Sequence, residues 1–251
     1  MKILFVDIET SPVIAYVWGT EMYKAYVGAE KIIEPTRMLC WAAKWYKEPE
    51  IFFADSQHGQ KTMLQSLHKL MNQADVIVHF HGSKFDIPHI NREFLEHDMI
   101  PTAPVKMIDL YAVVKRRFKF DNNSLKYLLD QLGLESKLST GGLDLWKRVM
   151  NKDPAALKKM EAYNKQDVYI MEDLYTKLIP WIERHPNHAI FTLEDVKCCP
   201  KCGSNRFQRR GYAISQVNRY FRYQCSECGG WFRGSKSIKI SGNGATRNVT
   251  P

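Results

Sequence analysis

Apolar residues fill the chain's first stretch. Residues 2–8 read KILFVDI, and a run this short, bounded by polar residues, predicts a buried strand. Apolar and aromatic residues at 14–18 and 39–46 predict two more strands, and the turn signal Lys47-Glu48-Pro49-Glu50 precedes a short one at 51–53. Between Gln60 and Asn72, Met63, Leu64, Leu67, Leu70 and Met71 recur at helical spacing. DVIVHF at 75–80 predicts a strand, 87–97 a helix with Pro88 tolerated near its start, and 105–110 one further strand. The pattern is helical after that. Asn123-Ser124 caps a helix carrying Leu125, Leu128, Leu129 and Leu132, Gly133 stops it, and Pro154 opens a long helical stretch to about Trp181. Strands first, then strands alternating with helices, then helices predict an α/β sheet with helical cover. No internal repeat is visible.

Composition adds a second, smaller domain. The 251 residues are 25% charged and 45% hydrophobic, which suits one large domain and one small one. The break falls after His185-Pro186-Asn187-His188, dividing a domain at 1–190 from one at 191–240, and the SGNGATRNVTP ending predicts a disordered tail over 241–251. No apolar run approaches the ~20 residues needed to span a bilayer. The first residues are too short a run, and acidic too soon, for a signal peptide, so an intracellular, cytoplasmic protein is expected. Charge is uneven: residues 197–251 hold eleven Lys or Arg against Glu227, a surplus of +10, and the rest of the chain is close to neutral at −1. A basic C-terminal piece on a neutral body points to nucleic acid.

The chemistry begins at Asp7 and Glu9. On a strand they share a face, while Val6 and Ile8 point to a core on the other. Two like charges so close resist ionisation, and hard oxygen ligands suit Mg2+ or Mn2+. Two acids at the end of a strand running into solvent would look the same. Two further acids stand in ordered contexts: Asp86 in HGSKFD, after a strand and at a helix start, and Asp167 in YNKQDV, with Tyr163 four residues earlier on the same helix face.

Asp7-x-Glu9, the Phe-Asp pair ending at Asp86, and Tyr163-x-x-x-Asp167 resemble the DEDD (DnaQ-like) exonuclease superfamily, which has a ribonuclease-H-like fold. The tyrosine places the resemblance in its DEDDy branch, close to stand-alone phage-type or YprB-like exonucleases. It covers residues 1–184, and NSLKYLLDQLGL looks like the helix before the third motif. The resemblance implies a mixed sheet with flanking helices and a 3′–5′ exonuclease. It implies two Mg2+ or Mn2+, one held by Asp7, Glu9 and Asp167 and the other by Asp7 and Asp86, with Tyr163 orienting the attacking water. Such a pair of ions stabilises the attacking and leaving oxygens of an in-line displacement. One departure stands out: His81-Gly82 occupies the place of the family's frequent Asn-Gly, which bears on substrate specificity and not on the ion chemistry. His79 and His81 are read as sharing a strand face, as packing residues or substrate contacts, and His89 as a surface residue.

Five of the six cysteines lie in the last quarter of the chain, which in a reducing compartment reads as metal binding. Cys199-x-x-Cys202-Gly and Cys225-x-x-Cys228-Gly are two knuckles that together supply four thiolates for one structural Zn2+, and the 22 residues between them suit a β-hairpin arm. The module resembles a zinc ribbon. Cys198 breaks the spacing and is read as a spare thiol, Cys40 as a core residue. Arg206, Arg209, Arg210, Arg219, Arg222 and Arg233 interleave with Phe207, Tyr212, Tyr220, Phe221, Tyr223, Trp231 and Phe232, a pattern suited to holding single strands. Some of those aromatics must also form the ribbon's small core, and docking a replication or recombination protein is the rival role. DNA is the expected substrate more than RNA. The alternatives are an endonuclease or exoribonuclease of the same fold, or a nucleic-acid-binding adaptor without catalysis.

Overall fold

The computed structural model describes residues 1–18, 27–191 and 197–238. The expected disordered tail at 241–251 lies outside the described residues. The chain divides into two compact units, Lys2–Leu174 and Tyr175–Pro251, with Met1 grouped with the second.

The first unit is built on a five-stranded sheet. In chain order its strands are β1 (Ile3–Thr10), β4 (Met38–Trp45), β5 (Ile51–Asp55), β6 (Val76–His79) and β7 (Lys106–Asp109), arranged β5-β4-β1-β6-β7. A separate two-stranded hairpin, β2 (Ile14–Ala15) and β3 (Ile32–Glu34), is inserted between β1 and β4. Antiparallel pairing of β1 with β4 and β4 with β5, and parallel pairing of β1 with β6 and β6 with β7, make the sheet mixed. This is the α/β architecture expected from the sequence.

Alternation along β1 puts Leu4, Val6 and Ile8 on one face of the sheet, in the larger of two cores. Leu4, Val6 and Ile8 pack with Met63, Leu64, Leu67 and Met71 of α1 (Gln60–Asn72) and Ile90 and Phe94 of α2 (Asp86–Glu96). On α1 the buried positions recur at the spacing of one helix face. Cys40 and Leu39 of β4 pack with Leu145 and Val149 of α5 (Leu143–Met150) and with Ala156, Met160 and Tyr163 of α6 (Pro154–Leu178). Two helices lie between these groups in sequence, α3 (Leu110–Arg117) and α4 (Leu125–Leu132). Ser124 caps α4 by accepting from Tyr127 N, and Gly133 ends it at φ +64°, as the sequence indicated.

The expected strand at 14–18 shortens to Ile14–Ala15, and Tyr16, Val17 and Trp18 beyond it are exposed. The long C-terminal helix stops at Leu178, where Pro180 has no N–H to continue it and a 3-10 turn, Ile179–Trp181, follows.

In the second unit, β8 (Phe207–Ile214), β9 (Arg219–Cys225) and β10 (Trp231–Arg233) form an antiparallel sheet ordered β10-β9-β8. The β8–β9 hairpin fills the span between the two cysteine pairs. Among the described residues no helix is long and apolar enough to cross a membrane.

Candidate functional site

The carboxylates do not sit at a strand's end. β1 continues through both, with Asp7 opposite Ala42 and Glu9 opposite Cys40 on β4. Its other neighbour is shorter: β6 pairs only with Ile3, Leu4 and Phe5. Beyond His79 the chain turns away and α2 begins at Asp86, whose Oδ1 accepts a hydrogen bond from Ile8 N at 3.2 Å. One early strand end thus opens an edge of β1 beside the acids and fills it with a third carboxylate.

Gly82 makes that approach feasible. A Cβ there would stand 2.6 Å from the His79 ring and 2.9 Å from Asp86 Oδ2. His81 takes the left-handed conformation, φ +64°, which asparagine and histidine tolerate better than most residues, so the His-Gly departure keeps the turn. His79 and His81 do not share a strand face: β6 ends at His79, which is 1% exposed, and His81 lies in the following turn with its ring 4.3 Å from that of Tyr111. Asp109 pins this turn, its Oδ1 accepting from His81 N at 2.9 Å and Tyr111 N at 3.1 Å.

Helix α6 supplies the rest. Oxygens of Asp7, Glu9 and Asp167 lie within 4.8 Å of one another; Asp86 stands outside that group but raises the pKa of Asp7 through its charge. Several oxygens are already held by named donors. Asn164 Nδ2 donates to Asp7 Oδ2 at 2.7 Å, and Lys137 Nζ lies 2.7 Å from Asp167 Oδ2. Asp167 Oδ1 is buried with no hydrogen-bond partner. Lys137 also stands over the Tyr163 ring, 5.1 Å from its centre.

Burial dominates the electrostatics. It pushes Glu9 up to about 8 and Asp86 to about 6, and raises Asp7 and Asp167; neighbouring acids add to the rise at Asp7 and Glu9, Asp109 adds to it at Asp86, and Lys137 opposes it at all four. Burial, then the charge of Asp167, raises the Tyr163 hydroxyl to about 12, so it stays protonated at neutral pH. A crowded set of carboxylates held partly protonated, with one buried oxygen left over, fits a hard divalent cation. Asp7, His81, Tyr111, Asn122, Asn123 and Lys137 are among the residues lining an open groove of about 630 Å3.

Sequence reasoning missed Lys137 and Asn164. Lys137 falls in the non-helical stretch between α4 and α5, where periodicity carries no signal. Asn164 had one: it precedes Asp167 by three residues, which puts it on the same helix face.

Residues 38–179 match the family model described as the RNase_H superfamily. The chain belongs to the RNase_H superfamily. The family B DNA polymerase of the hyperthermophilic archaeon Pyrobaculum calidifontis is similar in structure, with a TM-score of 0.52 and 17% sequence identity; the match covers 71% of this chain and 24% of the polymerase. At that identity the likeness concerns the fold. No curated protein matches the sequence.

This RNase_H-superfamily chain carries a second candidate site in its other unit. The sulfurs of Cys199, Cys202, Cys225 and Cys228 lie within 4.8 Å of one another. Cys199 and Cys228 are 3.8 Å apart, Cys202 and Cys225 3.6 Å. Four sulfurs about 2.3 Å from a tetrahedral zinc stand about 3.8 Å from each other, so the cluster has the dimensions of a zinc site. Gly203 and Gly229, each following a knuckle, have φ of +77° and +72°, a conformation in which a side chain would be strained. Hydrogen bonding from Cys228 lowers the Cys199 thiol to about 5, so the cluster already favours one thiolate. Cys198 is outside the group, and Cys40 is buried in the first unit. Of the six arginines singled out above, Arg206 is paired with Glu227.

Proposed function

We propose that the protein is a metal-dependent 3′–5′ exonuclease of the DEDDy type, with residues 1–190 as the nuclease domain and 191–240 as a zinc ribbon that helps hold nucleic acid. The observation that carries this reading is the convergence of Asp7, Glu9 and Asp167, with Asp167 Oδ1 buried and without a hydrogen-bond partner. Asp7, Glu9 and Asp167 would hold one Mg2+ or Mn2+ and Asp7 with Asp86 the other; the ions would supply charge compensation for the phosphodiester and activation of water.

The chain's own residues do the rest. Asn164 and Lys137 each hold one oxygen of a ligand carboxylate, which fixes its orientation. The Tyr163 hydroxyl, protonated at working pH, donates a hydrogen bond to the attacking water and cannot act as its base. The groove beside Asp7 receives the terminal nucleotides, with His81, Tyr111, Asn122 and Asn123 as contacts. DNA is favoured over RNA as substrate, and a replication or recombination protein is a fitting partner for the ribbon. A phosphodiester backbone is common to all these substrates, so direction and end dependence decide the reading.

The test is cleavage of 5′-labelled single-stranded DNA, duplex DNA and RNA with Mg2+ or Mn2+, alongside a 3′-blocked strand and a covalently closed circle. Stepwise shortening from the 3′ end, with the blocked strand and circle intact, is expected. Cutting of the circle would establish an endonuclease, and binding without any cleavage an adaptor.

A further inference from the structure

The two faces of the C-terminal sheet differ. Register puts Phe207, Tyr223, Cys225 and Phe232 on one side. There the Phe207, Tyr223 and Phe232 rings pack 5.3–5.4 Å from one another, and Lys197 covers the cluster with its Nζ 2.7 Å from Tyr223 Oη. Tyr223 is 8% exposed. This face is the sheet's own core.

The opposite side presents Tyr220 and Arg222 from β9 and Trp231 and Arg233 from β10, with Gln208 and Gln224. Arg233 lies 3.8 Å over the Tyr220 ring and Arg222 5.0 Å from the centre of Trp231. Trp231 is 49% exposed, and both arginines are exposed. No acid belongs to this face, and Glu227, the one acid in residues 197–251, is engaged by Arg206.

We propose that the Tyr220–Arg222–Trp231–Arg233 face is a stacking platform for single-stranded nucleic acid, read without regard to base sequence. Aromatic rings and guanidinium planes both offer flat surfaces to an unpaired base, and the arginines add charge for the backbone. A pair of rings each braced by an arginine is preset in orientation, which reduces the ordering cost of binding. Duplex bases are hidden in the stack and gain nothing from such a surface. The surplus of +10 in residues 197–251 supplies the charge complementarity. The proposal rests on reading this module as a nucleic-acid-binding element.

The experiment uses the full chain, with binding to a fluorescent 20-residue oligothymidylate, an oligouridylate and a duplex of the same length measured against salt. Trp231→Leu and Tyr220→Leu should each weaken single-strand binding about 10-fold while leaving the salt slope, duplex binding and zinc content unchanged. Arg222→Lys keeps the charge and removes the plane, so it should lose affinity at constant slope as well. If the leucine variants bind single strands as the parent does, the platform is overturned. If Arg222→Lys is silent and only Arg222→Gln weakens binding, with a shallower slope, the face is a plain electrostatic patch and the platform is again overturned. Cleavage of a six-residue oligonucleotide by the same variants reports on the carboxylate site separately. Its loss in the parent would remove the nuclease reading and leave the platform standing.

Discussion

The carboxylate cluster and the cysteine cluster are both crowded sets of ligands, but they stand in opposite relation to their scaffolds. The acids come from residues as far apart as Asp7 and Asp167 and rest on a sheet with buried side chains on both faces. The fold makes the site. Its own cation, Lys137, relieves part of the repulsion. The four cysteines come in two pairs at the ends of a three-stranded sheet whose core is three aromatic rings. On the zinc-ribbon reading proposed above, the site there makes the fold, because so small a core would draw its stability from the metal. A cation should therefore act on activity in one unit and on folding in the other.

The largest expected effect is on catalysis. Asp7→Asn should abolish cleavage while leaving the sheet folded, since it removes a like charge from a crowded set; circular dichroism and end-label assays together check both halves. Next is zinc removal. It should unfold the β8–β10 sheet and leave short-oligonucleotide cleavage unchanged, measured by amide exchange over 197–238; protection that persists in zinc-free protein would break the contrast. Tyr163→Phe should lower kcat by roughly 10–10³-fold with little change in KM, the signature of a group acting in the transition state. A change confined to KM would make Tyr163 a substrate contact.

A smaller effect separates the two kinds of cation. Lys137→Met should destabilise the ion-free protein by about 3 kcal/mol or less, because it leaves Asp167 buried beside other acids. Added Mn2+ should restore the loss, as read by melting temperature.

The legibility of the two regions follows the same divide. In each knuckle the two cysteines stand three positions apart in sequence, so spacing alone located them. The acids were found because each stands at a recognisable junction: a strand, a helix start, a helix face. Lys137 and the left-handed turn at His81 escaped, since a loop has no period and a positive φ leaves little trace at a residue other than glycine. The third strand of the C-terminal sheet, β10, is only Trp231–Arg233 and too short to show alternation. On the first unit's sheet, the apolar run marked β1 only as far as Ile8, and its continuation to Thr10 left no hydrophobic signal, because Asp and Glu interrupt the run that marks a strand.

The most direct test of the account is the pH dependence of ion-induced stabilisation. Glu9 at about 8 and Asp86 at about 6 lie above the ordinary carboxylate range, and Asp7 and Asp167 shift the same way. The folded, ion-free protein therefore holds more protons than the unfolded chain between pH about 4 and about 8. The stability these groups contribute is fully present below about 4 and is lost as pH rises through that window. Divalent ions bind the ionised form and oppose the loss. The melting-temperature increase caused by Mn2+ should accordingly grow from pH 5 to pH 8, and Glu9→Gln should flatten that growth. An increase that is the same at pH 5 and pH 8, or one that Glu9→Gln leaves untouched, would contradict the assignment of Asp7, Glu9 and Asp167 as the ion site.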